Sequence, residues 1–242
     1  MPMVEVLNLE KDYGKVKALK GISFEVHEGE IFGLIGPNGA GKSTTLRILA
    51  TLLRPTAGKV TIAGYDVVEE AEEVRKLISY LPEEAGAYKN LTGLEYLQFM
   101  ARLYAKDKRR AKEMLELGIR LSGLGDRLGD KVSTYSKGMT RKLLLARALM
   151  VKPKLAILDE PTSGLDIMNA YEVRKTIKAF AREGVTFLIS SHNMLEVEFL
   201  CDRVAMISNG QIIEVGTPRE LKERYNAQNL EEVFMKAVEG RA

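Results

Sequence analysis

Short apolar runs alternate with longer stretches of helical spacing along most of the chain. Residues 31–35 (IFGLI) are continuously apolar, which is typical of a strand buried on both faces. Residues 155–158, 185–189 and 204–207 are mainly apolar and are further candidates for buried strands. Residues 44–53 instead place their apolar side chains at helical spacing. Buried strands separated by helices predict an α/β fold with a mainly parallel sheet.

Two other regions have different patterns. Residues 3–30 alternate between apolar and polar positions and predict an antiparallel β layer near the N-terminus. Residues 86–150 contain no strand pattern and predict an inserted helical region, in which Thr92 and Glu95 have the spacing of a capping box. We therefore expect the parallel core to be accompanied by an antiparallel layer and a helical insertion.

The C-terminal part of the chain predicts a hairpin followed by helices. Asn209-Gly210 separates two apolar runs, and this dipeptide is typical of a two-residue hairpin turn. Asn229 and Glu232 predict the start of a last helix, whose apolar stripe is expected to pack onto the domain. We expect a single domain over residues 1–242, divided into a core (about 1–85 and 152–218), a helical subdomain (about 86–151) and C-terminal helices (about 219–242).

Charge and composition exclude several classes of function. The 36 Lys and Arg against 33 Asp and Glu leave a net charge of +3, too balanced for nucleic-acid binding through bulk charge. The single cysteine, Cys201, excludes an internal disulfide and suits a reducing compartment. Two histidines argue against a metal site built from histidine.

Membrane spans and export signals are also missing from the pattern. No apolar run approaches the roughly 18–20 residues that cross a bilayer. The first residues carry charges where a signal peptide needs an apolar stretch. We therefore expect a chain that neither crosses a membrane nor is secreted.

A glycine-rich segment carries the strongest signal for chemistry. Residues 36–43 fit the pattern G-x-x-x-x-G-K-[ST] between a predicted strand and a predicted helix. In that context the backbone N–H groups and the helix N-terminus bind phosphate. Lys42 can reach the β- and γ-phosphates, and Ser43 can bind Mg²⁺. The predicted cofactor-binding residues here are Gly36, Pro37, Asn38, Gly39, Ala40, Gly41, Lys42, Ser43 and Thr44.

Two adjacent carboxylates follow a second buried strand. Asp159 and Glu160 end the run LAILDE, at the strand end that lies beside the phosphate loop in a parallel sheet. Because consecutive strand residues point to opposite sides, we expect Asp159 to bind Mg²⁺ and Glu160 to face the attacking water. The phosphate loop and the carboxylates together predict nucleotide hydrolysis.

With these motifs, the sequence resembles the nucleotide-binding subunits of ABC (ATP-binding cassette) transporters from Tyr13 to His192. The resemblance implies ATP and Mg²⁺ as cofactors, with Tyr13 stacked on adenine and Val16 near the sugar. It implies that His192 contacts the γ-phosphate and orients the water against Glu160. Lys42 would complete this catalytic set by neutralising charge on the phosphates.

The resemblance also implies a dimer. Residues 135–139 (YSKGM) stand at the family signature, and Asp166 belongs to the segment that touches the opposite active site. In the family two subunits join head to tail, so Ser136 and Gly138 would complete the phosphate site of the partner. The partner is the same chain or a homologous cassette.

Two departures from the family pattern bear on the chemistry. Glu83 stands where the family usually has a glutamine that meets Mg²⁺ and water, so we expect it to be a metal ligand and a member of the catalytic set. Lys137 and Met139 replace the usual glycine and glutamine of the signature. Both variants resemble cassettes of multidrug, antibiotic and sodium exporters.

The sequence therefore predicts the ATP-hydrolysing subunit of a membrane exporter. Its expected partner is an integral-membrane permease, its expected place is the cytoplasmic face of the cell membrane, and nucleic acid is not an expected partner. A soluble ABC ATPase that acts on DNA, ribosomes or an assembly complex is the alternative within the family. A GTPase or a small-molecule kinase would need an Asn-Lys-x-Asp loop or an acceptor site, and a regulatory module would not need Glu160 and His192.

A cluster of basic side chains in the helical region is open to two interpretations. It is a solvated helix face, or it lies near anionic lipid head groups or a permease loop. Its members are Arg102, Lys106, Lys108, Arg109, Arg110 and Lys112.

Overall fold

A computed structural model describes residues 2–240. Strands and helices alternate along these residues. The strands are β1 (Val4–Asp12), β2 (Lys17–Val26), β3 (Ile31–Ile35), β4 (Ala57–Ile62), β5 (Tyr65–Asp66), β6 (Ile78–Leu81), β7 (Leu155–Asp159), β8 (Thr186–Ser191), β9 (Arg203–Ser208) and β10 (Gln211–Gly216). The α-helices are α1 (Lys42–Leu49), α2 (Ala71–Leu77), α3 (Gly93–Tyr104), α4 (Lys108–Ser122), α5 (Lys137–Leu149), α6 (Ile167–Arg182), α7 (Met194–Leu200), α8 (Pro218–Tyr225) and α9 (Leu230–Glu239).

The central sheet has the order β10-β9-β3-β8-β7-β6. All its neighbours are parallel except β9 and β10, which form an antiparallel hairpin. Every residue of β3, β7 and β8 is buried. The sheet therefore confirms the prediction of a mainly parallel sheet, because strands covered on both faces favour long apolar runs. The buried polar residues Asp159, Ser190 and Ser191 stand only at the carboxyl ends of β7 and β8.

A second sheet, with the order β2-β1-β4-β5, is antiparallel and covers one face of the central sheet. It confirms the antiparallel layer predicted for residues 3–30. The sequence pattern did not reveal β4, β5 or β6. The first three residues of β4 are exposed and β5 has only two residues, so neither has the apolar run that identifies a buried strand.

The two faces of β3 contribute to two separate cores. Phe32 and Leu34 pack with the antiparallel sheet and α1, whereas Ile31 and Ile35 pack with the helices on the other side. This division follows from the alternation of side chains along a strand. The phosphate loop at the end of β3 is thereby held between two packed layers.

The first helix is shorter than predicted. Periodicity predicted a helix over residues 44–53, whereas α1 ends at Leu49. Thr51 adopts a left-handed backbone, with φ of 62°, and so ends the helical path. Leu53 still packs against the core from outside the helix, which explains why it continued the apolar pattern.

The middle of the chain is helical, as predicted. The capping box at the start of α3 is present: Thr92 Oγ1 accepts from the Glu95 N–H at 3.1 Å and the Glu95 carboxylate accepts from the Thr92 N–H at 2.8 Å. The basic cluster lies on a largely exposed surface, and Asp107 within it caps α4. The division into subdomains stays a prediction.

The C-terminal elements also agree with the sequence. Asn209 and Gly210 both have positive φ in the turn between β9 and β10, as a type I′ hairpin requires. Asn229 caps α9 by accepting from the Glu232 N–H, and the Glu232 carboxylate accepts from the N–H of Gln228 instead of Asn229. The apolar stripe of α9 packs onto the helical side of the core.

None of the helices among residues 2–240 combines the length and apolarity needed to cross a membrane.

Candidate active site

The loop between β3 and α1 wraps around a buried lysine. The Lys42 Nζ donates to the backbone oxygens of Gly36 at 2.8 Å and Pro37 at 3.2 Å. It also lies 3.7 Å from the Glu160 Oε1. The N-cap of α1 is Gly41, so no side chain caps the first-turn N–H groups. This arrangement leaves a cation and a free helix N-terminus to bind an anion.

Close packing explains two glycines of the loop. A Cβ at Gly36 would lie 2.1 Å from the backbone oxygen of Ile207. Gly41 has a φ of +111°, a backbone region that other residues rarely adopt. The loop can therefore follow this path only with glycine at both positions.

A cavity of about 310 Å³ lies over the loop. It is lined by Ala18, Asn38, Gly39, Gly41, Lys42, Ser43, Thr44, Glu83 and Glu160. The cavity thus brings predicted phosphate-binding residues together with the predicted catalytic Glu83 and Glu160. Pro37 and Ala40 instead shape the loop: the Ala40 N–H donates to the Pro37 oxygen, and the Ala40 oxygen accepts from Gly210.

Asp159 and Ser43 meet beside this cavity. The Ser43 Oγ donates to the Asp159 Oδ1 at 3.3 Å, although 116 residues separate them in sequence. The same Oδ1 accepts from the Ser190 Oγ at 2.5 Å. Mg²⁺ prefers hydroxyl and carboxylate oxygens, and Ser43, Asp159 and the neighbouring Glu83 supply such oxygens. The residues present therefore fit a magnesium ion.

Glu160 lies outside β7 in a left-handed backbone conformation, with a φ of 48°. The sequence-based prediction assumed that Asp159 and Glu160 are both strand residues and therefore point to opposite sides. That assumption was wrong, because the strand ends at Asp159. The Glu160 N–H donates to the Ser190 Oγ at 3.1 Å and to the Ser190 oxygen at 3.2 Å. Backbone strain of this kind is held by surrounding contacts and is concentrated at functional sites.

The carboxylate of Glu160 is buried among polar partners. Its Oε1 lies 2.9 Å from the His192 Nδ1 and 3.7 Å from the Lys42 Nζ. Its Oε2 accepts from the Ser191 Oγ at 3.5 Å. Glu160 is 5% exposed, whereas the His192 side chain is 48% exposed. The predicted base and the predicted histidine are therefore in direct contact, with the histidine on the solvent side.

Burial and nearby carboxylates act in opposite directions on the cations of the site. Burial lowers the pKa of Lys42 from its ordinary value, and the charges of Glu160, Asp159 and Glu83 partly restore it. Burial likewise lowers the pKa of Arg141, while the same three carboxylates raise it. The site therefore concentrates negative charge around two buried cations.

Residues 19–163 match the family model described as ABC transporter. The chain belongs to the ABC transporter family. It is 39% identical to the linearmycin resistance ATP-binding protein LnrL of Bacillus subtilis, over 98% of this chain and 76% of that one. It is 41% identical to the daunorubicin/doxorubicin resistance ATP-binding protein DrrA of Streptomyces peucetius, over 90% of this chain and 66% of that one.

Solved ABC structures have the same fold. An ATP-binding subunit of an ABC transporter superposes with a TM-score of 0.87 at 29% identity, over 98% of this chain and 99% of that one. A dimeric ATP-binding cassette with ADP and Pi in a post-hydrolysis state gives a TM-score of 0.79 at 25% identity, over 89% and 98%. The chain is an ATP-binding and ATP-hydrolysing ABC subunit that powers a membrane transporter. Subunits of this family dimerise and work with membrane permeases.

The residues predicted to meet the base and the sugar of ATP lie at the edge of this ABC subunit. Tyr13 and Val16 are 51% and 62% exposed and form the turn between β1 and β2, where the Tyr13 N–H donates to the Val16 oxygen. The Lys11 Nζ lies 5.3 Å from the centre of the Tyr13 ring. Neither Tyr13 nor Val16 lines the cavity, although Ala18 of the same hairpin does.

The signature residues of the ABC subunit lie on a different surface from the cavity. Ser136 caps α5 by accepting from the Met139 N–H at 3.2 Å. Asp166 caps α6 by accepting from the Asn169 N–H at 3.0 Å, and a Cβ at Gly138 would lie 2.6 Å from the Asn169 side chain. The signature and the Asp166 segment are therefore adjacent, and neither lines the phosphate cavity of the same chain.

Two contact residues of the site escaped sequence reasoning. Ser190 holds both Asp159 and Glu160, and it stands in the Ser-Ser-His segment at the end of β8. Arg141 donates to backbone oxygens of two separate loops from within the leucine-rich helix α5. The position of Ser190 two residues before His192 was a usable signal, whereas no local pattern identifies Arg141.

Proposed function

We propose that this chain powers an exporter by hydrolysing ATP between two head-to-tail subunits. The reaction is in-line attack of water on the γ-phosphate, without a phospho-enzyme. Glu160 polarises the water, His192 positions it, and Lys42 neutralises charge that develops on the phosphates. The observation that carries this assignment is the buried Glu160 carboxylate, which contacts both Lys42 and His192 beside the phosphate loop.

Ser43, Asp159 and Glu83 are the residues that would hold Mg²⁺. When bound, the ion would supply charge stabilisation at the phosphate oxygens. The contact between the Ser43 and Asp159 side chains supports the first two ligands, and the position of Glu83 in the cavity lining supports the third. Glu83→Gln is expected to change the Mg²⁺ dependence of hydrolysis, and indistinguishable Mg²⁺ titrations of the two proteins would reject Glu83 as a ligand.

The remaining nucleotide contacts come from the chain's edge and from the second subunit. Tyr13 would stack on adenine and Val16 would pack near the sugar, which their exposure permits. Ser136, Gly138 and Asp166 of one subunit would meet the ATP held by the phosphate loop of the other. None of the three lines the cavity of its own chain, which supports a role toward a second copy.

An exposed aromatic surface on the helical region supports docking of a permease. Tyr88 is 55% exposed, and its ring packs edge-on against Phe99, whose centroid is 5.8 Å away. Leu103 and Tyr104 are 63% and 50% exposed on the same helix. We propose that this surface, with the loop that carries Glu83, receives a cytoplasmic helix of the permease. The chain would then lie at the inner face of the cell membrane.

The cargo class follows from the relatives. LnrL and DrrA are named for resistance to linearmycin and to daunorubicin and doxorubicin. Export of an antibiotic or drug is therefore the proposed transport reaction. Expression of the chain with its permease should raise the drug concentration that cells tolerate, and the Glu160→Gln variant should not.

Glu160→Gln tests the catalytic assignment directly. We expect ATP binding to persist, steady-state hydrolysis to be lost, and an ATP-bound dimer to accumulate in size-exclusion chromatography. Glu198→Gln is the control, since it also neutralises a paired glutamate, one that contacts Lys222 away from the site. Persistent turnover by Glu160→Gln, or equal loss in the control, would overturn the assignment.

A further inference from the structure

Arg141 is a buried cation that links the two carboxylate-bearing loops of the active site. It lies in α5 and is 5% exposed. Its Nη1 donates to the Pro82 oxygen at 3.2 Å, and its Nη2 donates to the oxygens of Glu83 and Glu160 at 3.1 Å each. One guanidinium thus holds the loop after β6 and the turn after β7 at a fixed separation.

The chemistry of this contact differs from simple packing. Within residues 2–240, no carboxylate oxygen lies close enough to form an ion pair with Arg141. Backbone carbonyl oxygens contact the buried charge directly, and the charges of Glu83, Asp159 and Glu160 act on it from a longer distance. A buried charge without a direct ion pair is costly. Nearby residues of α5, Leu143, Leu144 and Leu145, are instead buried and apolar. If this position were needed only for packing, an apolar side chain would suffice there.

The backbone conformation of Glu160 explains what the contact with Arg141 can do. Its left-handed backbone has to be fixed from outside, and both of its backbone polar groups are bound. Ser190 accepts from the N–H, while Arg141 and the Ser163 N–H donate to the oxygen. Arg141 is the partner that comes from the helix capped by Ser136 of the signature.

We propose that Arg141 is a positioning residue for ATP hydrolysis. Its planar guanidinium couples α5, which begins at the signature, to the Glu83 loop and to the backbone of Glu160. A rotation of α5 against the core would shift both carboxylates together, so that the base is aligned only in one orientation of the helix. This inference rests on the proposed roles of Glu160 and Glu83.

The test is the steady-state hydrolysis rate of the full chain over a titration of Mg²⁺-ATP in excess over protein, from which kcat and KM are obtained. We expect Arg141→Gln to lower kcat by about 10–100-fold, the effect of misplacing a catalytic group by about an ångström. The KM for ATP and the equilibrium affinity for ATP should stay within about twofold, since Arg141 touches neither the loop amides nor Lys42. Arg141→Lys keeps the charge but not the forked geometry and should restore only part of the rate.

Arg147→Gln is the matched control. Arg147 also lies in α5 and donates to a single backbone oxygen, that of Tyr80, at 3.0 Å. The Arg147→Gln variant removes an arginine–carbonyl hydrogen bond of the same kind but changes no contact of Glu160. We therefore expect it to lower the free energy of unfolding with little effect on kcat. An equal fall of kcat in both variants would assign Arg141 to structure alone and overturn the proposal.

The remaining outcomes are also decisive. An unchanged kcat in Arg141→Gln rejects the proposal, and so does a fall that matches the loss of folded protein in circular dichroism. If Arg141→Gln does not fold, Arg141→Lys provides the same comparison of kcat with KM, and unfolding of both variants rejects a positioning role. If Glu160→Gln retains turnover, the proposed role of Glu160 is rejected, and the inference about Arg141 is rejected with it. If Glu160→Gln is inactive while Arg141→Gln is not, only the present inference fails.

Discussion

The hydroxyl of Ser190 offers a sharp test of how the active site is held together. It is completely buried, donates to the Asp159 Oδ1 at 2.5 Å and accepts from the Glu160 N–H at 3.1 Å. Ser190→Ala deletes one oxygen atom and leaves Asp159, which is 2% exposed, without its shortest hydrogen bond. The Glu160 N–H keeps its bond to the Ser190 backbone oxygen, so the carboxylate bears most of the loss.

The size of the effect follows from the charge on the acceptor. A hydrogen bond to a charged group contributes about 1.5–3 kcal/mol, more than a bond between neutral groups. We therefore expect the free energy of unfolding of Ser190→Ala to fall by about 1.5–3 kcal/mol. For a chain of this length, that loss corresponds to a decrease in Tm of about 3–12 °C.

Ser79 provides a control with the same deleted atom. It lies in β6 of the same sheet, and its buried Oγ has no hydrogen-bond partner among the described residues. Removing an unpaired buried hydroxyl relieves a desolvation penalty of about 1–3 kcal/mol at most, so Ser79→Ala should leave stability unchanged or raise it. Only Ser190→Ala is therefore predicted to destabilise the chain, although the chemical change is identical in the two variants.

Urea and thermal unfolding of the two variants should be followed by far-ultraviolet circular dichroism, because the chain has no tryptophan. Equal m-values for parent and variants would show that the midpoints report stability. Equal destabilisation by Ser190→Ala and Ser79→Ala would refute the reasoning, since the cost would then come from the loss of volume and not from the bond to Asp159.

Three further perturbations should give the following results. Gly36→Ala introduces a Cβ that would lie 2.1 Å from a backbone oxygen of β9, so ATP binding should weaken and the free energy of unfolding should fall by about 1–3 kcal/mol. Gly86→Ala is the control: its Cβ would lie in open space, so it should change neither quantity in the same binding and unfolding assays. Burial raises the pKa of Cys201, so iodoacetamide at pH 8 should label this thiol only after denaturation. Mass spectrometry detects the label, and labelling of the native chain would contradict the burial of Cys201. Thr92→Ala removes the cap of α3 and should lower the free energy of unfolding by about 0.5–2 kcal/mol in urea titrations, with an unchanged midpoint as the contrary result.

The strands that the sequence revealed are those with the simplest environment. Residues 31–35, 155–158, 185–189 and 204–207 are apolar except for Thr186, because both faces of the central sheet are covered. The short strand β5 and the half-exposed β4 have no such run, and their place is decided by pairing with distant strands. Local patterns identify an element only where burial dominates its composition.

The sequence by itself determined the phosphate loop, the two carboxylates at the end of β7 and the histidine after β8. Each of these is a contiguous motif whose residues act next to one another in the chain. The tertiary structure alone decided how they are held. Ser190 lies 30 residues from Glu160, and Arg141 lies 58 residues from Glu83 and 19 from Glu160. The partners of these side chains leave no local pattern, even where the side chain itself stands near a motif, because a buried polar group is satisfied by whichever partner the fold brings to it.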